Sequence, residues 1–501
     1  RVSGCDSRTS NSLQSFASPS WLVCHPICRR KRAQTGTGVS EWASDSVWTM
    51  VQRFYIETLG CPKNDVDSDK LVGALLADGM EATDDAAAAD LVVVNTCAFI
   101  DEARRESIDT ILALDAQRLD GSKLVVTGCM AERYGDELAA ELPEVDQVAG
   151  FGMAFNMRPE QRDGTEVPKL KSGRKLIPVS EAPLPDFDLL NLPRPKSAVP
   201  WAYVKIAEGC DRSCGFCAIP SFRGPQRSRD VSSILTEVEQ LAAREIVLVA
   251  QDLASYGKDR PDEMGAGSIV PLIDAVAAQV DRVRLLYLYP SDLTDGLIDS
   301  ICNTGVPYFD LSLQHVSKPL LRKMRRWGDG QRFLNRIGDI REREPEAAFR
   351  SNFIVGYPGE TEDDHDQMLR FIEEAQLDWC GFFSYSNEDG TYAADLVKKG
   401  EGVVPAGLMH ERLAELREMQ DDITAARRDD LIGTTMSVLV DALGVARSHR
   451  EAPEIDGIIH VGHDVTVGEF AEVDIVDALG PDLVAAGVDV ASLDTEETAA
   501  L

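Results

Sequence analysis

The chain has 501 residues, of which 44% are hydrophobic, 27% charged and 6% aromatic; that is long enough for several globular domains and excludes a disulfide-stapled mini-protein. Its formal net charge of −33 argues against a protein that finds nucleic acid by bulk electrostatics, because phosphate binding draws on Lys and Arg. No stretch approaches the roughly 18–20 uninterrupted apolar residues of a membrane span, so no membrane partner and a cytoplasmic location are expected.

Residues 1–49 are Ser-rich and unpatterned, hold six Lys/Arg against three Asp/Glu, and precede the first methionine, Met50. They read as a disordered extension, with Met50 as the expected start and a balance of −36 beyond it. A secretory signal would need an apolar stretch that they lack. Cys5, Cys24 and Cys28 are set aside with them, which leaves eight of the 11 cysteines.

Residues 50–165 read as a first domain. Strands are expected at Arg53–Leu59, Asp90–Asn95 and Lys123–Thr127, with helices at Asp67–Asp78 and Glu102–Asp115, a βαβαβ pattern with a parallel sheet. Cys61, Cys97 and Cys129 each follow the carboxyl end of one strand, where such sheets bind ligands, so the three can converge. The alternative is three unrelated buried thiols.

A linker is expected at 166–195 and a second domain at 196–428. Its first strand, Tyr203–Ala207, leads to Cys210-x3-Cys214-x2-Cys217. Three thiolates within eight residues can hold three irons of a [4Fe–4S] cluster and leave the fourth iron for a substrate or cofactor. Structural zinc would need a distant fourth ligand, because no His lies between His25 and His315. Strands are then expected at Glu245–Ala250, Val283–Tyr289, Tyr308–Leu313, Phe349–Val355 and Cys380–Tyr385, six βα units in all, enough for a partial barrel. At the strand ends stand Gln251, Asp252, Gln314, His315, Gly356 and Glu360; singly these read as caps or turns, as a set they form a cofactor pocket. Cys302 and Cys380 read as buried small hydrophobes. The basic run Arg322, Lys323, Arg325 and Arg326 reads as a solvated helix face, the alternative being an electrostatic contact with an anionic substrate.

A charged helix is expected over residues 405–428. In the last segment, 429–501, Met436–Asp441, Gly457–His460 and Phe470–Ile475 are strand-like runs between turns, which suggests a small antiparallel β-barrel. From Leu431 onward two Lys/Arg face 14 Asp/Glu, the wrong sign for RNA.

Together these motifs resemble the methylthiotransferase family of radical S-adenosylmethionine (SAM) enzymes. Cys210, Cys214 and Cys217, with Phe216 before the last, look like the radical SAM signature. The three separated cysteines ahead and the small barrel behind resemble the family's N-terminal and TRAM domains, a likeness covering about residues 51–490. Gly60-Cys61-Pro62-Lys63-Asn64-Asp65-Val66-Asp67-Ser68 and the stretch from Ala446 to Gly457 are similar to the branch that modifies ribosomal protein S12 rather than tRNA adenosine. Two small departures are Ser312, where Pro is usual, and Ser351-Asn352 in place of Thr-Thr.

The resemblance implies two [4Fe–4S] clusters, one on Cys210, Cys214 and Cys217 with SAM, the other on Cys61, Cys97 and Cys129 as sulfur donor. Phe216, Gln251, Asp252, Gln314, Gly356 and Glu360 are the expected cofactor contacts. It implies methylthio transfer to the β-carbon of an aspartate in ribosomal protein S12, with an external one-electron reductant such as flavodoxin or ferredoxin. S12 is basic, so the acidic tail barrel suits it, and tRNA is disfavoured. The competing readings are a tRNA methylthiotransferase and a non-catalytic Fe–S electron carrier or sensor.

Overall fold

The computed structural model describes residues 52–151, 189–260, 267–400 and 402–490. The expected extension at 1–49, the expected start at Met50 and most of the expected linker lie outside the described residues.

The first domain is a parallel sheet of strands β1 (Arg53–Thr58), β2 (Glu81–Ala82), β3 (Leu91–Thr96), β4 (Lys123–Gly128) and β5 (Gln147–Val148), in the order β2-β1-β3-β4-β5. The central strand β3 is buried along its whole length, which is why its sequence is a continuous apolar run rather than an alternation. Helices α1 (Pro62–Ala77), α2 (Asp101–Gln117) and α3 (Cys129–Glu141) connect the strands. The first begins five residues before the expected Asp67, because Pro62 sits at the opening position, where its missing N–H costs no hydrogen bond, and Cys61 is the N-cap.

The second domain is the expected partial barrel. After β6 (Trp201–Lys205) come a short antiparallel pair, β7 (Ala207–Glu208) with β8 (Arg227–Ser228), and the strands β9 (Glu245–Val249), β10 (Arg282–Leu285), β11 (Tyr308–Gln314), β12 (Ala348–Val355) and β13 (Trp379–Ser384). Two parallel three-stranded sheets, β10-β9-β6 and β11-β12-β13, are joined by a bridge between Leu288 and Leu311. Side chains alternate with period two. Ala202, Val204, Ile246, Leu248, Phe309 and Phe349 face the helices in the largest core cluster. Trp201, Tyr203, Val247, Val249, Tyr308 and Trp379 form the concave face. That face is filled from outside the barrel, by Val66 of α1 and Ala452 of the tail domain. Cys302 and Cys380 are half-buried against the main core rather than fully enclosed.

A 24-residue helix, Ala406–Asp429, leads to the tail barrel. Its strands β14 (Thr435–Ala442), β15 (Val445–Arg447), β16 (Ile459–His460), β17 (Phe470–Leu479) and β18 (Asp482–Ala485) close in the order β14-β15-β16-β18-β17, antiparallel except for β16 with β18. The connection from β15 to β16 enters the foot of the partial barrel. Trp379 Nε1 donates to the Arg450 carbonyl at 2.8 Å, Tyr203 Oη to that of Pro453 at 3.0 Å, and Tyr308 Oη to Asp456 at 2.6 Å. Glu245, fully buried, pairs with Arg284 at 2.8 Å and with Arg447 of β15 at 3.4 Å. Among the described residues no helix is long and apolar enough to cross a membrane.

Candidate functional site

The loop carrying Cys210, Cys214 and Cys217 leaves the carboxyl end of β6 and is pinched at its base by the β7–β8 pair. Gly209 makes the pinch possible: its φ is +82°, and a Cβ there would stand 2.0 Å from the Pro225 carbonyl oxygen. The Cys210 N–H donates to the Gly224 carbonyl at 3.0 Å, and the Gly215 N–H to that of Met324 at 2.8 Å. Phe216, half-buried, packs against the main core and anchors the loop.

Two arginines attend the sulfurs. Arg326 Nη1 donates to Cys214 Sγ at 3.3 Å, and the Arg212 backbone N–H donates to Cys210 Sγ at 3.4 Å. Both guanidinium groups stack on Tyr289, at 3.8 Å for Arg212 and 4.1 Å for Arg326. Positive charge here offsets the thiolates that a metal would require. Arg326 corrects the reading of its basic run as a solvated helix face. The helix ends at Lys323, Arg325 takes a left-handed φ of +55°, and Arg326 turns inward to the cysteine loop.

Cys61, Cys97 and Cys129 converge at the carboxyl ends of β1, β3 and β4, as their placement in the sequence suggested. Gly60 and Gly128 allow the approach. At Gly60 (φ +103°) a Cβ would lie 2.8 Å from Cys97 Cβ, and at Gly128 (φ +90°) 2.3 Å from Asn95 Oδ1. Asn64 ties the three ends together, donating to the Leu59 carbonyl at 2.8 Å and to that of Thr96 at 3.1 Å, and accepting from Cys129 Sγ at 3.7 Å. Lys63 lies over the Tyr287 ring at 3.7 Å, which brings the start of α1 against the barrel mouth.

Arg223 links the set of Cys61, Cys97 and Cys129 to Glu208 at the foot of the Cys210 loop. It lies six residues beyond Cys217, at the end of a short helix, α4 (Ile219–Arg223). Its guanidinium donates to Cys129 Sγ and to Asn64 Oδ1, both at 3.0 Å, and to Glu208 at 2.9 and 3.0 Å. Glu208 and Asp67 also share Lys205. The network spans the first domain and the foot of the cysteine loop without reaching solvent, since the Arg223 side chain is 3% exposed.

The other expected pocket residues divide into two groups. Asp252 accepts from Arg212 Nε and Ser255 Oγ, each at 2.6 Å, and so braces the cysteine loop. Glu360 accepts from the Gly356 N–H and from Arg412 Nη1 at 2.7 Å, locking the turn after β12 to the long helix. Gly356 has a φ of +85°, and a Cβ there would collide with Met409 Sδ. Gln251 and Gln314 are less committed. Gln251 Nε2 donates to Glu208 at 2.6 Å while its Oε1 is buried without a partner. Gln314 holds a left-handed φ of +71° where the β11–β12 register shifts. His315 is buried at the same end, its ring taking the Ser317 N–H at 3.0 Å.

Among the described residues, no group of three His, Cys, Asp or Glu is drawn together as around a single ion. A four-iron cluster separates its ligand sulfurs more widely than one ion does, and the thiols fit that donor set. Burial pushes Cys210 up to about 11, and burial with the neighbouring Cys214 and Cys210 pushes Cys217 up to about 12. Burial, then Cys61 and Cys129, push Cys97 up to about 12; Cys129 is raised by burial against the opposing charge of Arg223. Sulfurs held this firmly as neutral thiols become thiolates when a bound metal supplies the positive charge.

Residues 53–150 match the Uncharacterized protein family UPF0004, residues 204–372 the Radical SAM superfamily, and residues 432–488 the TRAM domain. The ribosomal protein uS12 methylthiotransferase RimO of Cutibacterium acnes is 39% identical over 485 residues, covering 88% of this chain and 98% of that protein. The chain belongs to the ribosomal protein uS12 methylthiotransferase family. The RimO protein of Saccharopolyspora erythraea is likewise 40% identical over 466 residues, with 86% and 94% covered. Among solved structures, the radical S-adenosylmethionine methyltransferase TsrM from Kitasatospora setae is similar at 14% identity with a TM-score of 0.44, over 70% of this chain and 78% of that one. Membership in a radical SAM family makes an iron–sulfur cluster and SAM cofactors of this chain.

Proposed function

We propose that this family member adds a methylthio group to the β-carbon of an aspartate in ribosomal protein S12, using two [4Fe–4S] clusters. Cys210, Cys214 and Cys217 would hold the cluster that binds SAM, and Cys61, Cys97 and Cys129 the one that donates sulfur. The observation that carries the two-cluster reading is Arg223, whose guanidinium reaches Cys129 and Asn64 from the loop that carries Cys217.

With SAM bound, the first cluster supplies the radical chemistry that an unactivated C–H bond requires, since no general base removes such a proton at neutral pH. The chain's own residues position and shield. Arg212, Arg326 and Tyr289 fix the loop, and Arg326 balances thiolate charge at Cys214. Gln251 offers a buried carbonyl oxygen to a polar group of SAM, with Gln314, Gly356 and Phe216 as further contacts. Asp252 and Glu360 act one step back, by holding Arg212 and the Gly356 turn. Arg223 and Asn64 hold the second set of cysteines in place.

The acidic tail, with 14 Asp/Glu against two Lys/Arg from Leu431 onward, favours a basic protein over tRNA. A one-electron reductant such as flavodoxin or ferredoxin completes the reaction. Anaerobic reconstitution with iron and sulfide should give about eight irons per chain. Incubation with SAM, reductant and either S12 or tRNA, followed by mass spectrometry, should find the methylthio group on an S12 aspartate. Its appearance on tRNA alone would reverse the branch, and redox cycling without deoxyadenosine would favour an electron carrier.

A further inference from the structure

Against a formal charge of −33 for the whole chain, residues 318–343 hold nine Lys or Arg and three Asp or Glu. Arginines deeper in the fold are matched to carboxylates, as Arg212, Arg223, Arg284 and Arg350 are. Arg322, Lys323 and Arg325 are instead exposed and form no ion pair among the described residues. Trp327 stands beside them, 44% exposed, with Arg332 over its ring at 5.5 Å. It walls an open groove of about 380 Å³ with Leu293, Leu313 and Phe333.

This surface lies directly on the cysteine loop. The Met324 carbonyl accepts from the Gly215 N–H at 2.8 Å, and Arg326 donates to Cys214 Sγ at 3.3 Å. A basic surface and direct hydrogen bonds to the cysteine loop therefore coincide. We propose that the Arg322–Trp327 surface is the docking site of an acidic one-electron carrier protein, with Trp327 as its apolar centre and Arg322, Lys323 and Arg325 steering the approach. The proposal rests on the radical SAM reading above. One electron leaves the carrier for each sulfonium–carbon bond of SAM broken; methionine departs as a neutral thioether, and the adenosyl carbon takes a hydrogen atom from the substrate. An RNA backbone would also be drawn to these cations, but it would have no need of the hydrogen bond that the neighbouring Arg326 makes to Cys214.

The test uses the full reconstituted chain and the double variant Arg322→Glu, Lys323→Glu, with deoxyadenosine formation driven either by reduced flavodoxin or by dithionite. At low ionic strength the flavodoxin concentration for half-maximal rate should rise about ten-fold or more. The difference should shrink towards about 1 M salt, where the screening length falls to about 3 Å. Dithionite rates should match wild type, which also shows that the variant is folded. The milder pair Arg322→Gln, Lys323→Gln should shift the flavodoxin dependence in the same direction by less. Unchanged flavodoxin dependence in both pairs overturns the proposal, as does a loss confined to binding of an RNA duplex. Wild-type chain that makes no deoxyadenosine even with dithionite would instead sink the radical SAM reading.

Discussion

Replacing Arg223 by Met would test the link between the N-terminal cysteine set and the foot of the Cys210 loop. The side chain is 3% exposed and donates to Glu208, Asn64 and Cys129 within 3.0 Å, with Asp67 at 3.4 Å. Its removal leaves two buried carboxylates to share Lys205. Breaking a buried pair costs roughly 3–5 kcal/mol, and because Lys205 stays in place the low end, about 3 kcal/mol, is expected. That is a large part of the roughly 5–15 kcal/mol by which domains are stable. The measurement is a urea unfolding midpoint on anaerobic, cluster-free chain, read by tryptophan fluorescence and compared as a midpoint because several domains do not unfold as one. A second measurement on reconstituted chain should show SAM cleavage retained and methylthio transfer to S12 reduced at least ten-fold. Arg223→Lys keeps the charge without the fork and should recover part of the stability but little of the transfer. An unchanged midpoint together with full transfer in Arg223→Met would refute the assignment of Arg223 as the element that holds the second cysteine set in place.

Substituting Cys61, Cys97 and Cys129 together by Ala should lower reconstituted iron from about eight to about four per chain while leaving SAM cleavage intact, whereas Cys214→Ala should abolish cleavage. Gly128→Ala places a Cβ 2.3 Å from Asn95 Oδ1 and 2.5 Å from the Thr96 carbonyl oxygen, at a φ of +90°. At least about 1–3 kcal/mol of backbone strain is expected, with loss of iron from the N-terminal set alone. Acid should loosen the tail barrel. Burial alone would raise Glu245 and Glu451, but Arg284 and Arg447 for the first and Arg428 for the second outweigh it and hold both at about 2, below the ordinary 4.5. Depressed carboxylates stabilise fully above about 4.5, and that contribution, about 3 kcal/mol for each, drains away as pH falls towards 2. Calorimetry and limited proteolysis between pH 7 and pH 2.5 should show the tail released before the first domain melts; simultaneous melting would contradict this.

The strands of the first domain and barrel were legible because parallel strands covered on both faces read as apolar runs, as in Leu91–Val94 and Ile246–Val249. The cysteine sets were legible because each follows a strand end. Shorter elements were not, including Val445–Arg447 and Asp482–Ala485, whose pairing comes from barrel closure rather than from local pattern. Arg223 carries no local signal except its nearness to Cys217, since its partners come from three distant segments. Arg326 was hidden inside a basic run that looked uniformly solvated, although only a left-handed turn at Arg325 separates exposed from inward cations. Conversely, the stretch from Ala446 to Gly457, which marked the branch in sequence, fills the foot of the barrel with hydrogen bonds from Tyr203, Tyr308 and Trp379.

That last contact has a bearing on how the enzyme is made. A nascent chain emerges from its amino end, so the central barrel is synthesised well before the segment that fills it. Until residue 456 has left the ribosome, Tyr308 and Arg350 lack Asp456, and Trp379 lacks the Arg450 carbonyl. The barrel scaffold is therefore completed only after the tail segment that fills its foot has been made.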